Sequence, residues 1–181
     1  MFKTNLIEEC KKQNRKAQLK LYNQYCDGML CIAMRYLKQK DLAEDATQEA
    51  FIKAFKNIDS FTGETTFGAW LKRIVINQSI DYYRQHKYHE NIEDVNLEVA
   101  EDEDHTWQVN ENTSIADIRS CIEGMDDKYA TVLKLYLMEG YDHDEIAGIL
   151  NIKPNNSRIQ LHRGKKLLKE KLKSLRYERF A

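Results

Sequence analysis

Apolar residues recur along this chain mostly at spacings of three and four, the period of helices that bury one face. The clearest case is Asp41 to Arg84. Leu42, Ala46, Ala50, Phe51, Ala54 and Phe55 form one stripe, and Asp41 is placed to cap the helix with Glu44 reaching back as a capping-box partner. Asp45, Gln48 and Glu49 fall off that stripe, leaving two carboxylates and an amide on an outer face. Ser60 to Thr66, with Gly63 inside it, breaks the period. A second helix follows, setting Phe67, Trp70, Leu71, Ile74 and Val75 beside Lys72, Arg73, Asn77, Gln78 and Arg84. Aromatics mixed with cations and amides suit bases and phosphates. On spacing alone, Trp70 serves equally well as a core residue.

Upstream, Leu19, Tyr22, Tyr25, Cys26, Met29, Leu30, Ala33 and Met34 continue the pattern. They predict two helices broken near Asp27-Gly28, or one helix bent there. With the Asp41–Arg84 pair they make a helical domain of about 85 residues, enough for a modest core of its own.

Between His89 and Asp117 the periodicity fails, leaving an acidic stretch with isolated Val, Leu and Trp107. It is expected to be a linker, spanning roughly 100 Å at full extension and about 30 Å as a relaxed coil. Two roles stay open for it: a solvated tether, or an acidic strand that occupies a basic channel of a partner.

Helical spacing resumes at Ile118. Ile122 and Met125 lead to Asp126, and Tyr129, Val132, Leu133, Tyr136 and Leu137 share a face that ends near Gly140, a plausible cap. Asp142 with Glu145 is a second capping-box pattern, and Ile146, Ala147, Ile149 and Leu150 give a short buried helix. Asn151 to Pro154 forms the turn, with Pro154 suited to the first position of the next helix. There Leu161, Gly164 and Leu168 face inward while Arg158, His162, Arg163, Lys165 and Lys166 face out. Two helices joined by so short a turn, the second one basic, describe a helix-turn-helix. In that motif Asn155, Asn156, Ser157 and Arg158 reach base edges, Asn suiting adenine and Arg guanine. Arg163, Lys165 and Lys166 meet phosphates instead.

Composition narrows the class further. One Pro and seven Gly in 181 residues fit an all-α protein. No stretch approaches the roughly 20 apolar residues of a membrane helix, and the first residues lack the apolar run of a secretion signal. The four cysteines (Cys10, Cys26, Cys31 and Cys121) form no CxxC pair and are expected to be reduced and mostly buried. The net charge of −1 hides a strong asymmetry. Residues 1–88 carry +5, residues 89–118 carry −10 without a single Lys or Arg, and residues 119–181 carry +4. Five scattered His, no phosphate-cradling Gly loop and no nucleophile set beside a His and an acid argue against an enzyme. No cofactor or metal is expected.

These residues together resemble the bacterial RNA polymerase sigma factors of the extracytoplasmic-function (ECF) type, the compact form with only the second and fourth sigma domains. The resemblance covers roughly 10–86 and 118–176. It rests on DLAEDATQEAFIKAF with its Asp45, Gln48 and Glu49, on FGAWLKRIVINQSIDYYR, and on DHDEIAGILNI followed by SRIQLHRGKKLL with Leu161-His162-Arg163. It implies a second sigma domain over 1–88, an acidic linker over 89–117 and a fourth sigma domain over 118–181. Asp45, Gln48 and Glu49 would dock on the clamp helices of core RNA polymerase. Ser60 with the loop after it, Phe67, Trp70 and Asn77 would hold the melted −10 element, with Lys72, Arg73 and Arg84 on its backbone. The helix-turn-helix would bind the −35 element of promoter DNA. Those footprints lie about 35–70 Å apart, one to two helical turns, a distance that the linker can span. No third sigma domain fits between them.

The implied protein is cytoplasmic, does not insert in membranes, and has core polymerase and promoter DNA as partners. Whether an anti-sigma factor also binds it stays open. Asn155-Asn156 stands where the family usually has Gly-Thr, Ile159 where Ser is common, Gln160 where Arg is common, and Gly164 where Ala is usual. The family's promoter sequence therefore does not carry over. The residues also allow a stand-alone helix-turn-helix regulator with an N-terminal interaction module. A purely protein-binding adaptor would leave the basic tail unexplained.

Overall fold

The structure, a computed structural model, describes residues 2–86 and 113–180, with side chains over 6–85 and 113–175. It is all-α, and the chain divides into two units, 1–92 and 93–181. The expected linker lies almost wholly outside the described residues.

The first unit contains α1 (Phe2–Lys11), α2 (Arg15–Ala33), α3 (Lys40–Lys56), a 3-10 turn (Ile58–Ser60) and α4 (Phe67–His86). Its core gathers Leu21, Met29, Ala33, Leu37, Phe51, Ile58, Leu71 and Val75. The inner stripe of α3 is made of small residues, with Ala43, Ala46, Ala50 and Ala54 all fully buried. Such a stripe lets neighbouring helix axes approach closely. Where hydroxyls enter this core they bond back to their own helix, Thr47 donating to the Ala43 carbonyl at 2.6 Å and Ser79 to the Val75 carbonyl at 2.8 Å. Phe67 sits among aromatics, with Tyr25, Phe61 and Trp70 at centroid distances of 5.5, 5.7 and 5.5 Å.

Several expectations are corrected here. Asp41 does not cap α3. The helix begins at Lys40, two residues earlier than a cap at Asp41 would place it, Gln39 holds the cap position without a side-chain bond, and Glu44 pairs with Lys40 at 3.3 Å instead of closing a box. The helix break lies at Gln13-Asn14, not at Asp27-Gly28. Gln13 takes a left-handed φ of 61°, and the Asn14 side chain accepts from the Lys16 and Ala17 amides. Helix α2 passes through Gly28 without interruption because residues on both sides of it, Leu21 and Met29, are buried in the same core. Leu19 and Met34 face solvent, at 61% and 47% exposure. Cys10 and Cys121 are buried, Cys26 is half-buried and Cys31 is exposed; all four are free thiols.

The second unit contains α5 (Ile115–Glu123), α6 (Asp127–Leu133) running into a π-helical segment (Lys134–Met138), α7 (His143–Leu150) and α8 (Pro154–Phe180). Helix α5 starts three residues before the expected Ile118, because Ser114 and Asp117 close a capping box. The box read at Asp142 and Glu145 forms, Gly140 has a φ of 76°, and Pro154 opens α8. Asn151 ends α7 in the left-handed conformation, φ 53° and ψ 48°, which makes the turn tight. Leu161 and Leu168 are buried as expected, whereas Leu137 is 42% exposed. Gly164 lets α8 pass close to α6: a Cβ there would come within 3.1 Å of the Leu133 side chain.

Candidate functional site

Asp45, Gln48 and Glu49 are all exposed on α3, on the side away from its alanine stripe. Glu49 is engaged from α4. The Gln78 side-chain amide donates to Glu49 Oε2 at 2.6 Å, and the Tyr82 hydroxyl donates to Glu49 Oε1 at 2.8 Å. Lys53, one helical turn along from Glu49, donates to Gln78 Oε1. Burial first, then the bond to Glu49 and the nearby carboxylates of Glu49 and Asp45, push the Tyr82 phenol up to about 12.

Beside this network lies a groove of about 430 Å³, lined by Lys53, Asn57, Ser60, Trp70, Ile74, Asn77, Gln78 and Asp81. Three residues singled out from the sequence, Ser60, Trp70 and Asn77, meet here. Trp70 is both core and groove: it packs on Phe61 at 5.6 Å and on Phe67, yet lines the cavity. Phe67 is 5% exposed and belongs to the core. Arg73 is exposed one turn before Asn77 on α4, while Lys72 and Arg84 are half-buried. Lys53 is absent from the residues that the sequence sets against bases and phosphates, and Gln78 is among the amides there but without a role at the −10 element. Their partners lie 25 and 29 positions away in the chain, so no local pattern marks them.

In the second unit, Asn155, Arg158, His162 and Lys166 are exposed at spacings of three and four, which puts them on one face of α8. Asn156, Arg163 and Lys165 are half-buried beside it. Ser157 is fully buried, and its Oγ lies 2.9 Å from His143 Nδ1. It therefore ties α8 to α7 and has no exposed surface to offer DNA. His143 in turn stacks on Tyr136 at 5.1 Å, and the Lys165 ammonium sits 5.7 Å from the centre of that ring. Burial, then the neighbouring Arg158 cation and, more weakly, Lys165, hold the imidazole below its ordinary range against the pull of Asp142 and Asp144. The two helices are thus fixed to each other by a polar bond close to the exposed face of α8.

Among the described residues, no group of three or more His, Cys, Asp or Glu is arranged to hold a metal, and no helix is long and apolar enough to cross a membrane.

Comparison with known proteins gives two family matches: Sigma-70 region 2 over residues 21–88 and Sigma-70 region 4 over residues 115–168. The chain is 32% identical over 187 residues to the ECF RNA polymerase sigma factor SigW of Bacillus subtilis, covering 93% of this chain and 96% of that one. It is 28% identical over 180 residues to the ECF RNA polymerase sigma-E factor of Haemophilus influenzae, covering 94% and 95%. Among solved structures, its fold is similar to that of the sigma factor RpoE in complex with the anti-sigma factor NepR from Bartonella quintana. The TM-score is 0.51 at 20% identity, over 85% of this chain and 95% of the other.

Proposed function

This chain belongs to the extracytoplasmic-function family of RNA polymerase sigma factors, and from that premise we propose how its two units divide promoter recognition. The protein is a transcription initiation factor: it joins core RNA polymerase and directs it to promoters. It works in the cytoplasm and carries no active site of its own.

The first unit, within residues 1–88, docks on core polymerase and opens the −10 element. Asp45 and Gln48 on the outer face of α3 meet the clamp helices of the largest polymerase subunit. Glu49 shares that face but is held by α4. The groove beside it takes the melted strand. Unstacking one base costs a few kcal/mol, and stacking on an aromatic such as Trp70 returns about 1–3 kcal/mol. That close balance leaves the opening dependent on polymerase and on backbone contacts from Lys72, Arg73 and Arg84. Ser60 and Asn77 line the same groove; the Ser60 hydroxyl donates to the Asn57 carbonyl at 2.7 Å and so offers an acceptor, while Asn77 offers an amide to base edges.

The second unit, whose helices begin behind the Ser114 cap, binds the −35 element as duplex. Asn155, Asn156 and Arg158 read base edges, and Arg163, Lys165 and Lys166 hold phosphates. The acidic stretch expected over 89–117, cut short by the start of α5 behind Ser114, joins the two modules. Core polymerase and promoter DNA are the partners that this division of labour requires. An anti-sigma factor, named in the Bartonella quintana complex, is a further candidate partner.

The observation that carries this reading is that one chain matches both Sigma-70 region 2 and Sigma-70 region 4, with an exposed Asp45, Gln48 and Glu49 face and a groove in its first unit and an exposed Asn155, Arg158, His162 and Lys166 face in its second. A mobility-shift experiment on promoter fragments tests it. The protein alone should bind weakly and the protein with core polymerase strongly. Tight, sequence-specific binding without polymerase would instead favour a stand-alone regulator.

A further inference from the structure

Gln78 is a terminal amide whose oxygen and nitrogen face opposite charges. Its Oε1 accepts from the Lys53 ammonium and its Nε2 donates to the Glu49 carboxylate. Turning the amide over would set its NH2 against an ammonium and its oxygen against a carboxylate, so only one orientation is favourable. Gln78 is 5% exposed, which leaves water little room to compensate. The Tyr82 hydroxyl takes the second oxygen of Glu49 and keeps that carboxylate from swinging away. Lys53 and Gln78 line the groove; Glu49 does not. Glu49 thus governs the groove wall from behind it.

We propose that Glu49 is a positioning residue for the single-strand groove, holding the Gln78 amide, and through it the Lys53 ammonium, in the one arrangement that reads a melted base. One N–H of Lys53 is committed to Gln78, leaving two donors for a base acceptor or a phosphate oxygen. Without Glu49 the amide is free to rotate and the ammonium loses its fixed place. Base choice then blurs although no residue that lines the groove has changed. The exposed neighbours Asp45 and Gln48 make no such connection to the groove wall. This inference rests on the assignment of the groove to melted promoter DNA.

The test uses holoenzyme assembled with core polymerase in excess, so that every copy of the protein is docked. Random single-stranded DNAs of roughly 12 nucleotides, within the usual range of single-strand sites, are offered, and the bound fraction is sequenced. The wild type should enrich a base at one or more positions. Glu49→Ala should lose about tenfold of that preference at one position, the effect of one lost charge-assisted hydrogen bond. Glu49→Gln should stay within about twofold, because its amide oxygen still accepts from Gln78 and its amide nitrogen can donate to the Tyr82 oxygen. Rescue by Gln separates positioning from charge, since a residue needed only for its negative charge would fail in both variants. Unchanged base preference in Glu49→Ala, or equal loss in Glu49→Gln, would overturn the proposal. A wild-type holoenzyme without any base preference would overturn the groove assignment itself and the proposal with it.

Discussion

His143 Nδ1 and Ser157 Oγ, 2.9 Å apart, join the first residue of α7 to the first turn of α8 across the tight turn of the helix-turn-helix. Ser157 is fully buried, so His143→Ala strands its hydroxyl. The expected cost is about 1–3 kcal/mol, seen as a lower midpoint in the thermal unfolding of the second unit. Ser157→Ala should cost less, because the group left behind is a half-buried imidazole with access to water.

The same imidazole makes the second unit sensitive to acid. Burial and the Arg158 and Lys165 cations disfavour its charged form against Asp142 and Asp144, so its pKa in the folded chain lies below the ordinary 6.5. The stabilisation tied to the neutral ring is complete above pH 6.5 and is lost as pH falls through the lowered value. Arg158→Ala should move the His143 titration back toward 6.5, as read from its ring proton shifts by NMR. A titration unmoved by that substitution would remove Arg158 as a cause.

Docking on polymerase is predicted to depend on Asp45 and Gln48. Both are exposed, so the paired change Asp45→Ala and Gln48→Ala should alter stability by about 0.5 kcal/mol or less. Co-purification with core polymerase should be abolished while circular dichroism stays that of the parent. Normal co-purification would contradict the assignment of this face.

Arg158 and Lys166 lie on the same exposed face of α8 but should fail differently. Arg158→Ala should cost about 1–3 kcal/mol of discrimination at one base pair of the −35 element. Lys166→Ala should weaken all sequences alike and reduce the salt slope of binding by about one. Binding of holoenzyme to promoter fragments at several salt concentrations distinguishes the two.

Tyr82 reports on the bridge between α3 and α4. Its phenol is raised from 10 to about 12, first by burial and then by the bond to Glu49. The contribution of the neutral phenol to stability is complete below pH 10 and is lost as pH rises toward 12. Glu49→Ala should shift the ultraviolet titration of Tyr82 downward, and a titration unchanged in that variant would mean the bond does not form in solution.

What was legible in the sequence was what local rules govern. The capping box at Asp142 and Glu145, Pro154 at the start of α8 and the stripe of Leu161 and Leu168 could all be read from spacing of a few residues. Local rules misled where packing overrode them. Asp27-Gly28 has the composition of a turn, but core contacts carry α2 straight through it, and the break falls instead where Asn14 can cap. Asp41 and Glu44 had capping-box spacing, yet Lys40 took the carboxylate. Ser157 was expected at the DNA because it opens the recognition helix, but its hydroxyl is spent on His143. Phe67 suited base stacking by type, and the aromatic cluster claimed it. The partners of Glu49 are out of reach of any local pattern, since they lie 29 and 33 positions away on another helix, α4.

Run-off transcription with purified core polymerase, followed by mapping of the start sites, tests the whole account most directly. Core polymerase alone should give no defined starts. Adding this protein should give discrete starts, each preceded by shared −10 and −35 elements, and they should vanish with the Asp45→Ala and Gln48→Ala pair. Core polymerase that initiates identically with and without the protein would contradict it.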